Sequence, residues 1–183
     1  MDRDLLQGCV DGDRKAQKQL YEKCYSKMMS ACMRYASDTD EAMEILNMGF
    51  FKVFTTIGRY QNEINNLEGW IYRIIVNTAI DHFRKEFKHK RTVETDHALS
   101  SQTAYDVVSD LSAEEILKLV QQLSPAYRTV FNLYVMEGFT HREIAEKLKV
   151  TEGTSKSNLA KARAKLQKMI REQDRIKLKA YAG

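Results

Sequence analysis

The sequence predicts an all-α protein: two small helical domains joined by a flexible acidic linker, the second containing a helix-turn-helix. Three observations carry this. The 183 residues include one proline and eight glycines, so little in the chain interrupts helix. Apolar residues recur at helical spacing from residue 2 to about 90, and again from 113 to about 172. Residues 92–112, "TVETDHALSSQTAYDVVSDLS", lose that periodicity and carry Glu94, Asp96, Asp106 and Asp110 with no Lys or Arg. The expected organisation is a helical domain over 1–91, the linker over 92–112 and a helix-turn-helix domain over 113–183.

The first domain reads as four helices. Asp2 to Gly8 is short. Asp13 to Tyr35 is long, with Ala16, Leu20, Cys24, Met28 or Met29 and Cys32 at i, i+4 spacing on one face. Asp38 or Asp40 caps a third helix running to about Ile57. "GRYQNEINNLEG" breaks helicity, and a fourth helix runs from about Glu68 to Lys88. On a wheel this helix is apolar on two sides. Trp70, Ile71, Ile74, Ile75 and Thr78 lie on one, and Tyr72, Val76, Ala79, Phe83 and Phe87 on much of the other. One stripe stays polar: Arg73, Asn77, Asp81, Arg84 and Lys88. Trp70 flanks it and reads either as core or as a stacking platform.

The second domain is well punctuated. Ser124-Pro125 fits an N-cap followed by a first helical residue, and Gly138 ends that helix. Thr140 to Glu143 is a capping-box pattern, with Ile144, Ala145 and Leu148 behind it as an apolar face. Thr151 caps a last helix that starts near Glu152. A short helix, a turn of a few residues and a second helix make a helix-turn-helix. On the last helix, Leu159, Ala162, Leu166, Met169 and Ile170 face inward. Ser157, Ala160, Lys161, Ala164 and Lys168 face outward, with Lys156 and Asn158 beside them. Small residues let a helix sink into the major groove, and cations meet phosphates. Asn158 and Lys161 are placed to reach base edges, where Asn suits adenine and Lys suits guanine.

Charge and composition narrow the function classes. The net charge is +4, from 29 basic and 25 acidic residues; the linker contributes −4, so the rest stands at +8. Cys9, Cys24 and Cys32 are odd in number and no pair has C-x-x-C spacing, which fits free thiols in a reducing cytoplasm. A redox role at Cys24 and Cys32 stays open. The N-terminus lacks the apolar stretch of a signal peptide, and no apolar run reaches the ~20 residues of a membrane span. There is no Gly-rich phosphate loop, no ligand cluster with metal spacing, and no nucleophile with a base; His82, His89, His97 and His141 lie apart. The expectation is a cytoplasmic protein with no enzymatic activity, no cofactor, no metal and no catalytic residue.

Four stretches carry a family resemblance: "DEAMEILNMGFFKVF" (40–54), "WIYRIIVNTAIDHFRK" (70–85), "LSPAYRTVFNLYVMEGFTHREIAEKL" (123–148) and "EGTSKSNLAKARAKL" (152–166). In this order the chain resembles a small two-domain bacterial sigma factor of the extracytoplasmic-function (ECF) type; the last stretch is similar to the Bacteroidota style of that family. The resemblance implies a non-catalytic subunit that binds core RNA polymerase, recruits it to promoters and helps to melt the DNA. It implies that the helix over 41–56 docks on the polymerase clamp through Glu41, Glu44, Asn47 and Phe50. It implies that the 60–67 loop captures a flipped minus-10 base with Gln61, Asn62, Asn65 and Asn66, and that Arg73, Asn77, Arg84 and Lys88 hold the single strand. For the minus-35 duplex it implies Arg142, Thr154, Lys156, Ser157, Asn158, Lys161 and Lys165.

The partners implied are core RNA polymerase, promoter DNA and an anti-sigma factor, often membrane-anchored; the chain itself is expected not to insert in a membrane and to be monomeric when free. The acidic linker suits a polymerase channel that must attract RNA.

The sequence departs from the family in several places. Glu44, Asn47 and Met48 stand where Asp, Gln and an acid are usual. Lys149 replaces a turn glycine, Ser155 a core valine and Asn158 a common arginine. Lys149 is expected in a left-handed conformation. Ser155 is expected to face inward with its hydroxyl bonded back to its own helix. The competing reading is a helix-turn-helix transcriptional regulator acting without stable polymerase association, which explains residues 120–170 but not the polar stripe or the acidic linker.

Overall fold

The computed structural model describes residues 3–60, 66–90 and 112–181. All regular structure among them is helical, and no helix there is long and apolar enough to cross a membrane. The chain divides into two compact units, Met1–His82 and Phe83–Gly183.

In the first unit, α1 (Arg3–Val10) leads into α2 (Arg14–Tyr35). The Asp13 carboxylate caps α2 by accepting the Lys15 N–H. The face α2 buries is Ala16, Leu20, Cys24, Met28, Ala31, Cys32 and Tyr35, the i, i+4 ladder with its flanks. α3 (Thr39–Thr56) is capped by Asp38, which accepts the Glu41 N–H at 2.9 Å. Its inner face is Ala42, Ile45, Leu46, Gly49, Phe50 and Val53. A Cβ at Gly49 would collide with the Ile75 side chain, so the glycine sets how closely α3 meets α4 (Leu67–Lys90). Along α4, Ile71, Ile75, Val76, Thr78, Ala79, Ile80 and Phe83 are buried, while Arg73, Asn77 and Asp81 are exposed. The helix is thus packed on two sides. The cost of ordering it is offset by burial worth roughly 1.5–3 kcal/mol for each large apolar side chain.

Trp70 is half-buried, its ring tilted against Tyr60 with centroids 5.4 Å apart, so it sits at the margin of the core. All three cysteines are buried free thiols, and burial pushes the Cys32 thiol up to about 12.

The second unit packs α5 (Ala113–Gln121), α6 (Pro125–Val135) and α7 (His141–Leu148) against α8 (Glu152–Tyr181). The last helix extends past residue 172, where the sequence pattern places a polar tail. Leu119, Val120, Leu123, Ala162 and Leu166 form one core cluster, with Tyr127, Phe131, Met169 and Ile170 packed on it. Arg128 is 2% exposed, and its Nη1 donates to the Gln121 carbonyl at 2.9 Å. A buried cation therefore closes the C-terminal end of α5.

Ser124 is the N-cap of α6 but makes no side-chain capping bond; Pro125 behind it supplies the preset φ. Gly138 adopts φ +74°, which lets the Phe139 N–H return to the Leu133 carbonyl at 3.0 Å. Thr140 and Glu143 form the capping box of α7, and the Thr140 N–H and hydroxyl hold the Glu143 carboxyl below the ordinary carboxylate range.

α7 ends on Lys149 at φ 56°, ψ 44°. A side chain there is strained by about 1–2 kcal/mol. Lys149→Gly should therefore stabilise this unit by about 1 kcal/mol, once the greater freedom of glycine in the unfolded chain is offset. The shift is read as a raised urea midpoint; a lower one would show that Lys149 makes compensating contacts.

Candidate functional site

α3 presents an outer face whose composition follows from its inner one. Position 50 turns inward to complete the apolar ladder: Phe50 is 2% exposed and packs on Tyr21 with ring centroids 4.6 Å apart. The expectation that Phe50 belongs to the docking surface is corrected by this burial. Its neighbour Phe51, 100° further round the helix, is 71% exposed. Glu44, Asn47 and Phe51 share one face at i, i+3 and i+7, and all three are exposed.

Glu41 is half-buried and otherwise engaged. Its Oε2 accepts the Ser37 N–H and hydroxyl, both at 2.6 Å, and its Oε1 lies 3.2 Å from His82 Nε2. Glu41 thus forms a joint between the start of α3 and α4.

Sequence reasoning missed Phe51. The signal was present: Ala42, Ile45, Leu46, Gly49, Phe50 and Val53 already complete a helical stripe, which leaves a large aromatic over on the polar side.

At the head of α4, Asn66 Oδ1 accepts the Gly69 N–H at 2.8 Å. Asn66 is the N-cap of α4, its Oδ1 satisfying an orphaned helix donor. Gln61, Asn62 and Asn65 lie outside the described residues, as does the side chain of Lys88. Tyr60 and Trp70 pair their rings on either side of that segment in the chain. On the polar stripe Arg73 and Asn77 are exposed and Arg84 is half-buried; Asp81 is ion-paired to Lys52 on α3 at 3.0 Å. Of the acidic linker over 92–112, all but Ser112 also falls outside the described residues.

In the second unit the turn between α7 and α8 leaves Arg142, Thr154, Lys156, Ser157 and Lys165 exposed, with Asn158 and Lys161 half-buried. Thr151 Oγ1 accepts the Thr154 N–H at 3.0 Å and so caps α8. The cations are held locally. Lys156 pairs with Glu152 at 2.8 Å and Arg142 with Glu146 at 3.3 Å, each one turn away. The Lys156 contact also holds the Glu152 carboxyl below its ordinary range. Lys161 Nζ rests 5.9 Å from the Tyr127 ring centre. Exposed same-helix pairs are weak, so a phosphate can replace the carboxylate partner at little cost.

Ser155 is fully buried as expected, but its hydroxyl does not turn back on α8. It lies 3.0 Å from His141 Nδ1.

A capped helix-turn-helix, preceded by a helical unit with its own polar-striped helix, defines a two-part DNA-binding protein. Sigma-70 region 2 matches residues 20–88 and Sigma-70, region 4 matches residues 113–166. The chain belongs to the sigma-70 family of RNA polymerase sigma factors, in its ECF group. The regulator reading would account for the region 4 match alone and leaves the region 2 match unexplained.

Relatives include the RNA polymerase sigma-H factor of Pseudomonas aeruginosa, 26% identical over 92% of this chain and 93% of that protein. ECF RNA polymerase sigma factor SigM of Mycobacterium tuberculosis is 25% identical over 92% of this chain and 84% of that one. ECF RNA polymerase sigma factor SigW of Bacillus subtilis is 26% identical over 88% and 92%. Among solved structures, the chain is similar to sigma factor RpoE in complex with the anti-sigma factor NepR from Bartonella quintana (20% identity, TM-score 0.49, 84% of this chain and 96% of that one). It is also similar to CnrH in complex with the cytosolic domain of CnrY (16% identity, TM-score 0.45, 93% and 97%).

Proposed function

We propose that this sigma factor docks on core RNA polymerase through the outer face of α3, reads the minus-35 duplex with α8, and captures the opened minus-10 strand beside α4. The observation that carries the reading is Phe51, a large apolar side chain left 71% exposed beside Glu44 and Asn47 on a helix whose inner face is already complete. An aromatic anchor ringed by polar groups is the usual composition of an interface hot spot. The docking set is therefore Glu44, Asn47 and Phe51.

For the minus-10 strand, Gln61, Asn62 and Asn65 supply hydrogen bonds to a flipped base, whose extrusion costs a few kcal/mol. Arg73, Asn77, Arg84 and Lys88 take the strand's backbone, and the half-buried Trp70 ring offers a stacking surface. For the minus-35 duplex, Arg142, Lys156 and Lys165 meet phosphates; Lys161 leaves the Tyr127 ring to join Asn158 at base edges. Thr154 and Ser157 flank them on the small-residue face that enters the groove. The linker over 92–112, between domains 1–91 and 113–183, occupies an RNA-attracting channel of the polymerase. The protein acts in the cytoplasm, catalyses no reaction itself, and is held in check by an anti-sigma factor that covers its DNA-facing surfaces.

The test is the salt dependence of promoter binding by the reconstituted holoenzyme. Lys156→Ala should reduce the slope of log affinity against log salt by about one, because a phosphate contact is lost. Lys161→Ala should instead keep the slope and lose discrimination at one base pair. Unchanged slope and unchanged preference in both variants would remove this face of α8 from the interface.

A further inference from the structure

We propose that His141 is a positioning residue for promoter recognition, tying the first turn of α7 to the first turn of α8 through the buried Ser155 hydroxyl and so setting the heading of the side chains that meet the minus-35 duplex. The inference rests on the sigma-factor reading above.

Ser155 is fully buried and sits between Thr154 and Lys156, with Ser157 and Asn158 just beyond. Its backbone N–H is already satisfied by the Thr151 carbonyl at 3.1 Å. Its hydroxyl meets His141 Nδ1 at 3.0 Å, across the turn of the motif. The imidazole is in turn fixed. It occupies the first helical position of α7, directly after the Thr140 cap, and its ring stacks on Tyr134 of α6 with centroids 4.6 Å apart and planes 24° apart. The Arg163 guanidinium lies 5.6 Å from the centre of the same Tyr134 ring.

The contacts close a loop through three helices, from Ser155 on α8 to His141 on α7, to Tyr134 on α6, and back to Arg163 on α8. α8 is thereby held at two points about two turns apart. Leu159, Ala162 and Leu166 already hold α8 on the core, and the two contacts add polar restraints near its start that set the heading of the exposed residues between them. Lys156, Ser157, Asn158 and Lys161 all lie between the two pins. Removing the histidine nitrogen strands a buried hydroxyl, which then seeks a partner by moving α8 or turning back on the helix.

The test uses holoenzyme assembled from core polymerase and full-length variants. The probe is a promoter duplex selected from a randomised library by the wild-type holoenzyme. His141→Asn places a polar atom where Nδ1 stood, and His141→Gln places one where Nε2 stood; both lose the ring. We expect the Asn variant to bind within about three-fold of wild type, and the Gln variant and Ser155→Ala each about ten-fold more weakly. Combining His141→Gln with Ser155→Ala should cost no more than either alone, because the two changes break one bond.

Equal losses for Asn and Gln would assign the effect to ring packing. Additive losses, or wild-type affinity throughout, would equally overturn the tie. Backbone amide shifts of Thr154 to Asn158 in the free full-length protein give an independent reading: they should move in the Gln variant and stay near wild type in the Asn variant. If the wild-type holoenzyme selects no duplex at all, the sigma reading fails, and the tie is then decided by those amide shifts alone.

Discussion

Phe51→Asp lowers the affinity for core polymerase by about 30-fold or more, while the stability of the free protein stays within about 0.5 kcal/mol of wild type. The two halves of this expectation have one cause. At 71% exposure the ring contributes little to folding, so its loss is nearly neutral there. An aromatic at the centre of a docking face, with Glu44 and Asn47 on the same side, carries a disproportionate share of the binding energy, and a buried unpaired carboxylate in its place adds a desolvation penalty. Affinity is measured by competition for core polymerase against a labelled wild-type chain, and stability by urea unfolding. Wild-type affinity in the Phe51→Asp variant would exclude the outer face of α3 from the interface.

Phe50→Ala behaves in the opposite way. The ring is 2% exposed and lies against both Tyr21 and Phe54, with centroid separations of 4.6 and 5.8 Å. Truncation removes its transfer energy and leaves a cavity that α2 and α3 cannot close without moving. The expected loss is about 3–5 kcal/mol in the first unit. Under conditions where the variant remains folded, its affinity for polymerase should stay close to wild type. The pair of neighbouring phenylalanines thus separates a folding role from a docking role on one helix. A mild Phe50→Ala with intact stability would mean that the inner face of α3 is wrongly placed.

The family resemblance puts Phe50 on the docking face and leaves Phe51 unassigned, although local signals locate most of the fold. Helix periodicity located α2, α3 and α4, because each inner face repeats at i, i+3 and i+4 and each start carries a side chain able to cap it. Asp13, Asp38, Thr140 and Thr151 all accept the backbone N–H groups that their positions imply. Lys149 was legible for the same local reason, since a turn between two packed helices needs a left-handed residue wherever glycine is missing.

Partner assignments that depend on geometry were not legible. The apolar stripe of α3 already implies the rotation that puts Phe50 inside, but how closely α3 then meets α4 depends on the approach of Gly49 to Ile75, which no spacing rule encodes. Asn66 reads equally as a base-binding amide and as a helix cap until the start of α4 is located at Leu67. Ser155 was correctly placed inside, but its partner lies across the turn on another helix, and no spacing rule encodes a contact between His141 and Ser155. Arg128 escaped notice because a buried arginine is rare and is identified only by the carbonyl it serves.

The most direct test of the central claim is co-purification of the full-length chain with bacterial core RNA polymerase at moderate salt, with the Phe51→Asp variant run beside it. The account predicts a one-to-one complex with the wild-type chain and little or none with the variant. Absence of a wild-type complex, together with tight binding of the free chain to duplex DNA, would contradict it and favour a helix-turn-helix regulator that acts without polymerase.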